Sequence, residues 1–404
     1  MHRYVLVCFF TLLRVGLTQC QEAVIIVPVA DLIGQPLVTY NIKPYRDFPL
    51  CPRQLHNRYN GCPRLHQSLY NERVKLIKIV GDEGYIDIPQ LFYISNNQKQ
   101  TKYWIYKDNI RTIAELKKKG VDTAIIPTPI AFDAAHKSVH NDNQNIVTLV
   151  QPWYDAATQR TFSAGTRFVM HKTLNTSAPY VEVYVLDPNT LRPCTMHIDK
   201  KICLFNTKKS ASDQRALFIK IAKAWAHMPD CFIPYVWGGS SFTSCSRAEK
   251  IEEQKKDKND ACFALADYHA SPKTGFDCAG LVSRAAQMAG IPYFYKNTST
   301  LSQELKPITR YKDLQNGDLL WIPGHVMIIS DIANARLIEA RGYHHGYGKV
   351  QEIALSKVFK DIKSFAELFN ALHAKKSITR LDKEGNPREE ISNYKFLSLT
   401  DSLS

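Results

Sequence analysis

The clearest alternation in the chain runs from Glu72 to Val80, where Val74, Leu76 and Ile79 interleave with Arg73, Lys75 and Lys78. Period two of this kind predicts a half-buried strand. Gly81-Asp82-Glu83-Gly84 follows as a turn, and Tyr85-Ile86-Asp87-Ile88 resumes the strand. Ala23 to Ala30 and Tyr103 to Tyr106 read as further short strands, and Ile113 to Lys119 as a short helix stopped by Gly120. Strands this short and closely spaced predict a small barrel over residues 21–120. A second β-rich stretch, 121–208, carries strand patterns at Ile146–Val150, Thr166–Met170 and Val181–Val185, and predicts a second small barrel.

The pattern then changes period. From Asp213 to Met228, apolar Leu217, Ile221, Ala224 and Trp225 recur at helical spacing after Ser210, and Pro229 stops the run. Pro234-Tyr235-Val236-Trp237-Gly238-Gly239 is an aromatic, glycine-rich turn, and a strongly charged stretch, 240–275, reads as an exposed insertion. Ala279 to Ala289 predicts a helix closed by Gly290, with Cys278 where the loop turns into it. Asp318–Trp321, His325–Ile329 and Arg336–Ala340 follow as three strands of a meander. A helix set against an antiparallel sheet is an α+β layout.

Candidate chemistry concentrates in Phe276-Asp277-Cys278-Ala279-Gly280-Leu281. A thiol at a helix N-terminus lies near unsatisfied N–H groups and the positive end of the helix dipole, which favours the reactive thiolate. Gly324-His325-Val326 opens a strand with a histidine. Cysteine plus distant histidine makes a nucleophile–base pair.

Bulk properties frame this core. At 404 residues, with 45% hydrophobic and 22% charged residues, the chain is globular material for two or three domains. Met1-His2-Arg3, then an apolar run from Tyr4 to Leu13, reads as a secretory signal over residues 1–20 and is too short to span a bilayer. Cys20 stands where lipid attachment would occur, but Gln19 is bulky there, so no lipid anchor is expected. The net charge of +14 favours an anionic partner: a cell-wall polymer, a membrane surface or nucleic acid. No RNA-binding aromatic motif or zinc finger is visible, and nucleic acid is not expected. Ten cysteines suit an exported chain, with Cys51/Cys62, Cys194/Cys203 and Cys245/Cys262 close enough in sequence to close small disulfide loops. No CxxC pair or histidine-rich spacing points to a metal, and no cofactor is expected.

In order, Tyr-Val-Trp-Gly-Gly at 235–239, Phe-Asp-Cys-Ala-Gly-Leu-Val at 276–282, Asn316-Gly317-Asp318-Leu319 and Gly-His-Val at 324–326 resemble the NlpC/p60 cell-wall cysteine peptidases. The resemblance covers a domain at 209–365, leaves 366–404 as a C-terminal extension, and implies a papain-like core. Leu65–Val74, Tyr103-Trp104-Ile105 and Gly165-Thr166-Arg167-Phe168 resemble the bacterial SH3-like domains that precede it in members similar to γ-D-glutamyl-L-diamino acid endopeptidases. It implies Cys278 as nucleophile, His325 as base and Glu339 as its orienter, where relatives carry His, Asn or Gln; His344 or His345 serves if the register differs.

By the same resemblance Tyr235 is a second oxyanion donor beside the Cys278 N–H, Asp277 faces a substrate amine, and Trp237 and Glu72 wall the pocket. Two departures stand out. Ala279 replaces the common Ser, and Lys296-Asn297-Thr298 replaces Arg-Asp-Ser, so that Asn297 removes one acidic partner for a free amine. The implied partner is a peptidoglycan stem peptide, and the implied enzyme a monomeric, exported thiol peptidase. A papain-like acyltransferase or amidase, and a wall-binding protein with a regulatory peptidase domain, are the alternatives.

Overall fold

The computed structural model describes residues 20–36, 64–95, 97–129, 131–132, 138–139, 145–172, 177–205, 210–246, 273–291, 297–342 and 346–399. The signal segment, Cys51, Cys62, Cys262, His344, His345 and most of the predicted insertion lie outside the described residues.

The first unit is a seven-stranded antiparallel sheet of β1 (Gln21–Ile25), β2 (Val29–Ile33), β3 (Arg64–Leu69), β4 (Arg73–Val80), β5 (Glu83–Asp87), β6 (Lys102–Tyr106) and β7 (Ile110–Thr112). Its order is β3-β2-β6-β5-β4-β1-β7, an open series among the described residues. The β4 alternation buries Val74 and Leu76 against Ile86, Tyr103 and Ile105, and a bulge between Leu76 and Lys78 ends it, leaving Ile79 and Val80 exposed. Helix α1 (Ile113–Lys118) follows, started by a Thr112–Glu115 capping box. The second unit combines β8 (Ile146–Leu149), β9 (Arg167–Val169) and β12 (Cys203–Phe205) in one sheet with the hairpin β10 (Tyr180–Leu186)–β11 (Pro193–Asp199). These close on Tyr70, Phe162, Phe168, Val183 and Ile198.

The third unit carries the candidate residues Cys278, His325 and Glu339. Helices α2 (Ala211–Ala226), α3 (Cys278–Ala289) and α4 (Thr298–Glu304) accompany a sheet of β13 (Leu319–Ile322), β14 (His325–Asp331), β15 (Arg336–Arg341) and β16 (Lys349–Ala354). The sheet order is β16-β15-β14-β13-β19, where β19 (Lys395–Leu397) comes from the end of the chain. Helix α5 (Phe365–His373) and the antiparallel pair β17 (Ile378–Leu381) and β18 (Pro387–Ile391) complete it. The segment that resemblance sets aside as an extension thus supplies an edge strand and a covering layer.

Strand alternation divides the core into two layers. On the near face, Leu319, Trp321, Val326, Ile328, Ile338 and Ala340 pack with Phe218 and Trp225 of α2 and Leu281, Val282 and Ala285 of α3. On the far face, Leu320, Ile322, Met327, Ile329 and Leu337 pack with Phe365, Leu368 and Phe369 of α5 and Ile378 and Ile391. Each such side chain contributes about 1.5–3 kcal/mol by leaving water.

The Asn-Gly-Asp-Leu motif is a clamp rather than a catalytic element. Gly317 takes φ +93°, and Asp318 Oδ1 accepts from Arg215 Nη1 of α2 at 2.9 Å and from the Leu399 backbone N–H at 3.0 Å. It thereby ties α2 and the chain end to the start of β13.

The cysteine pairings need correction. Cys245 is joined to Cys231, not to Cys262. Phe232 and Ser246 exchange both backbone hydrogen bonds beside the bridge, and this local pairing brings Cys231, 14 residues away, to Cys245. Cys194 and Cys203 are not bonded to each other: Cys194 lies opposite Val185 and Cys203 opposite Leu149, in different sheets. The Cys231–Cys245 bridge closes the loop that holds Tyr235 and Trp237. A loop of this length implies about 3 kcal/mol of stabilisation. Cys231→Ser is expected to lower the urea midpoint accordingly, and an unchanged midpoint would show that the loop is held by its other contacts.

Candidate active site

Cys278 is the first residue of α3. Asp277 caps the helix, its carboxylate accepting from the Gly280 N–H at 2.5 Å, while the Asp277 N–H donates to Gly239 O at 3.0 Å. The thiol is buried at the near-face end of the helix, 9% exposed. The helix stops at Gly290, which takes the left-handed conformation at φ +81°.

The glycines around Cys278 are there for space. A Cβ on Gly280 would sit 1.9 Å from Gly239 O, and one on Gly239 would sit 2.4 Å from Gly275 O. The helix start, the Gly238-Gly239 turn and the Gly275-Phe276 strand therefore touch backbone to backbone. Gly280→Ala is expected to cost about 3 kcal/mol by forcing these segments apart. Chemical denaturation would show it, and a loss below about 1 kcal/mol would mean the turn moves freely.

The first unit holds this turn from the other side. Arg64 Nη1 donates to Trp237 O at 3.1 Å, the Gln67 side chain accepts from the Ser240 N–H and the Ser241 hydroxyl, and Arg284 donates to Ser240 O and Gln67 O. Arg64 lies 2.8 Å from Asp31, and Gln67 Nε2 donates to Asp31 at 2.7 Å. All three are essentially fully buried. Buried charges are tolerated only when paired and hydrogen-bonded, so this network fixes how the first unit docks on the Gly238-Gly239 turn. Sequence reasoning missed it; Asp31 inside the otherwise apolar Val29–Ile33 strand was the available signal.

Tyr235 packs its ring over Gly342, where a Cβ would lie 3.2 Å from Tyr235 Cε1, and its N–H donates to Gly348 O at 2.8 Å. Tyr235 also bridges Phe276, two residues before Cys278. Gly342 follows the end of β15, and β15 runs antiparallel to β14. The start of α3, Tyr235 and the first residue of β14, His325, thus lie at one end of the sheet.

His325 is 6% exposed, and its Nε2 lies 2.9 Å from Glu339 Oε2. Glu339 is fully buried, and its second oxygen accepts from Gln351 Nε2 at 3.2 Å. Burial pushes the imidazole well below the usual histidine range, reinforced by the positive charges of Arg380 and Arg341. Burial raises the Glu339 carboxyl, but its hydrogen bond and attraction to His325 and the nearby Arg380 and Arg341 outweigh this and hold it below the usual carboxylate range. A carboxylate only accepts, so the neutral imidazole carries its proton on Nε2 and presents a lone pair on Nδ1.

The two groups approach from different layers. Val326, Ile338 and Ala340 belong to the layer of Cys278, whereas Met327 and Leu337, which share alternation with His325 and Glu339, belong to the far layer. The alternation therefore places His325 and Glu339 on the far face, at the same end of the sheet as the start of α3.

The remaining candidates have structural partners. Asn297 caps α4, accepting from the Thr300 N–H at 2.8 Å, and Thr298 O accepts from Trp321 Nε1 at 2.7 Å. Glu72 forms an ion pair with Arg284 Nη1 at 2.8 Å. It lines a junction cavity of about 740 Å³, open volume included, among Tyr70, Arg167, Ser283 and Gln287. Cys278, His325, Glu339, Tyr235 and Trp237 are not among that cavity's lining residues. Among the described residues, no helix is long and apolar enough to cross a membrane.

No protein-family model and no curated protein matches the sequence. Solved structures do match. An NlpC/P60 family protein from Bacillus cereus ATCC 10987 shares 16% identity over 83% of this chain and 94% of its own, with a TM-score of 0.50. An NlpC/P60 endopeptidase from Photobacterium damselae subsp. piscicida shares 11% identity over 94% of this chain and 73% of its own, at a TM-score of 0.40. NlpC2 from Trichomonas vaginalis shares 12% over 84% and 94%, at 0.31. The first of these establishes a shared fold.

Proposed function

We propose that this protein is an exported cysteine peptidase that hydrolyses the γ-D-glutamyl–diamino acid bond of peptidoglycan stem peptides. The observation that carries the reading is the capped helix-start thiol of Cys278 at the same end of the sheet as the buried His325–Glu339 hydrogen bond, in a fold shared with an NlpC/P60 protein. The two N-terminal β units are read as SH3-like modules that shape the substrate cleft, on the strength of the Gln67 and Arg64 contacts to the catalytic turn. The Cys231–Cys245 bridge supports an oxidising, exported location.

In the reaction His325 Nδ1 takes the Cys278 thiol proton, and the thiolate attacks the γ-amide carbonyl carbon. The oxyanion is received by the Cys278 N–H and the Tyr235 hydroxyl. As the C–N bond breaks, His325 gives its proton to the leaving amine, leaving a thioester. Water, deprotonated by His325, then hydrolyses the thioester and restores the thiol. Glu339 balances the imidazolium at each transfer.

The test is incubation of the purified chain with L-Ala-γ-D-Glu-diaminopimelate peptides and with intact sacculi, products being identified by mass spectrometry. Release of the diamino acid fragment is expected. A folded protein that cleaves neither would overturn the proposal.

A further inference from the structure

The C-terminal segment reaches the proposed base. β17 packs beneath β14 and β15, held by Lys360 N–H donating to Thr379 O and Leu381 N–H donating to Val358 O. Its Arg380 is 5% exposed, with Nη2 4.0 Å from Glu339 Oε2. Neither Nε nor Nη2 of Arg380 has a hydrogen-bond partner among the described residues. A buried guanidinium without a counter-charge is strongly unfavourable. The buried carboxylate at ion-pair distance is Glu339, which already holds His325.

We propose that Arg380 is a positioning residue: it holds Glu339 as the carboxylate that orients His325, so the C-terminal strand pair is part of the catalytic machinery. This rests on the peptidase reading for its catalytic meaning, and on geometry alone for the coupling of Arg380 to the His325–Glu339 pair. The charged groups around the pair are Arg341 on β15, Arg380 on β17, and Arg388 and Glu389 on β18, with neutral Gln351 on β16. Arg341 is turned to Leu381 O, which its Nη2 contacts at 2.9 Å, and so also ties the sheet to this segment. Arg380 favours the ionised carboxylate and disfavours the imidazolium. It therefore keeps His325 neutral and ready to accept a proton.

The experiment is histidine-selective NMR titration of the full chain in wild type, Arg380→Gln and Arg380→Lys, with kcat and KM followed against pH on the stem peptide. In Arg380→Gln the His325 midpoint is expected to rise by about one pH unit, the acid limb of kcat/KM to follow it, and kcat to fall about tenfold with KM little changed. Arg380→Lys is expected to restore most of both. If wild type cleaves no wall peptide, the peptidase reading fails while the titration still decides the coupling. A folded Arg380→Gln whose His325 titrates as in wild type overturns the inference. Should that variant not fold, stability of the Arg380→Gln/Glu339→Gln double variant decides. Recovery relative to Arg380→Gln supports the pairing, and strict additivity of the two losses overturns it.

Discussion

Cys278→Ala is expected to remain folded and to lose stem-peptide cleavage by at least about 10⁵-fold, since removing a nucleophile leaves only binding and oxyanion stabilisation. The fold should survive because the side chain is small and sits at a helix start whose cap is Asp277, not the thiol. The cost is the packing of one sulfur, on the order of 1 kcal/mol. The same position gives a second reading through alkylation. If His325 serves the thiol, iodoacetamide should label Cys278 in wild type at lower pH than in His325→Ala, because only the thiolate reacts. Identical profiles in the two proteins would mean that the imidazole, anchored on the far face with Glu339, does not reach the thiol. Full cleavage by Cys278→Ala would remove the cysteine mechanism altogether.

Local features of this site were legible in the amino-acid order. The helix from Cys278 to Ala289 is bounded by a capping aspartate and a left-handed glycine, both decided within a few residues. The meander of β13, β14 and β15 is equally local, joined by short turns, one of them through Gly324 at φ +75°. Features set by pairing between separate segments were not legible. The expected pairing of Cys245 with Cys262 passed over Cys231, which is nearer at 14 residues and is brought to Cys245 by the pairing of Phe232 with Ser246. Glu72, expected as a pocket wall, does line the junction cavity, but nothing in the sequence signalled its ion pair with Arg284, 212 residues away. Arg380 offered one faint signal, a charged residue between Ile378 and Leu381 in a strand whose neighbours are buried.

Glu339→Gln is expected to lower kcat by about 10⁴-fold, the scale seen when the acid of a Ser-His-Asp triad becomes an amide. The amide can still meet His325 Nε2, yet it no longer fixes which nitrogen carries the proton, and it offers no charge to the imidazolium formed during attack. Arg380, and Arg341 beside it, would also lose their buried counter-charge, for about 3–5 kcal/mol of stability. The pH dependence has a definite sign. Both groups are depressed in the folded protein, Glu339 below 4.5 and His325 below 6.5. The unfolded chain therefore binds protons first, and stability falls with acid: from pH 6.5 downward through His325, and from pH 4.5 downward through Glu339. Glu339→Gln should start less stable at pH 7 and lack the lower of these two losses, which thermal unfolding between pH 7 and pH 3.5 would show. If instead Glu339→Gln keeps activity within tenfold of wild type while His344→Ala loses it, the orienting role belongs to His344, and the buried carboxylate serves the fold by holding Arg380 and the C-terminal strands against the sheet.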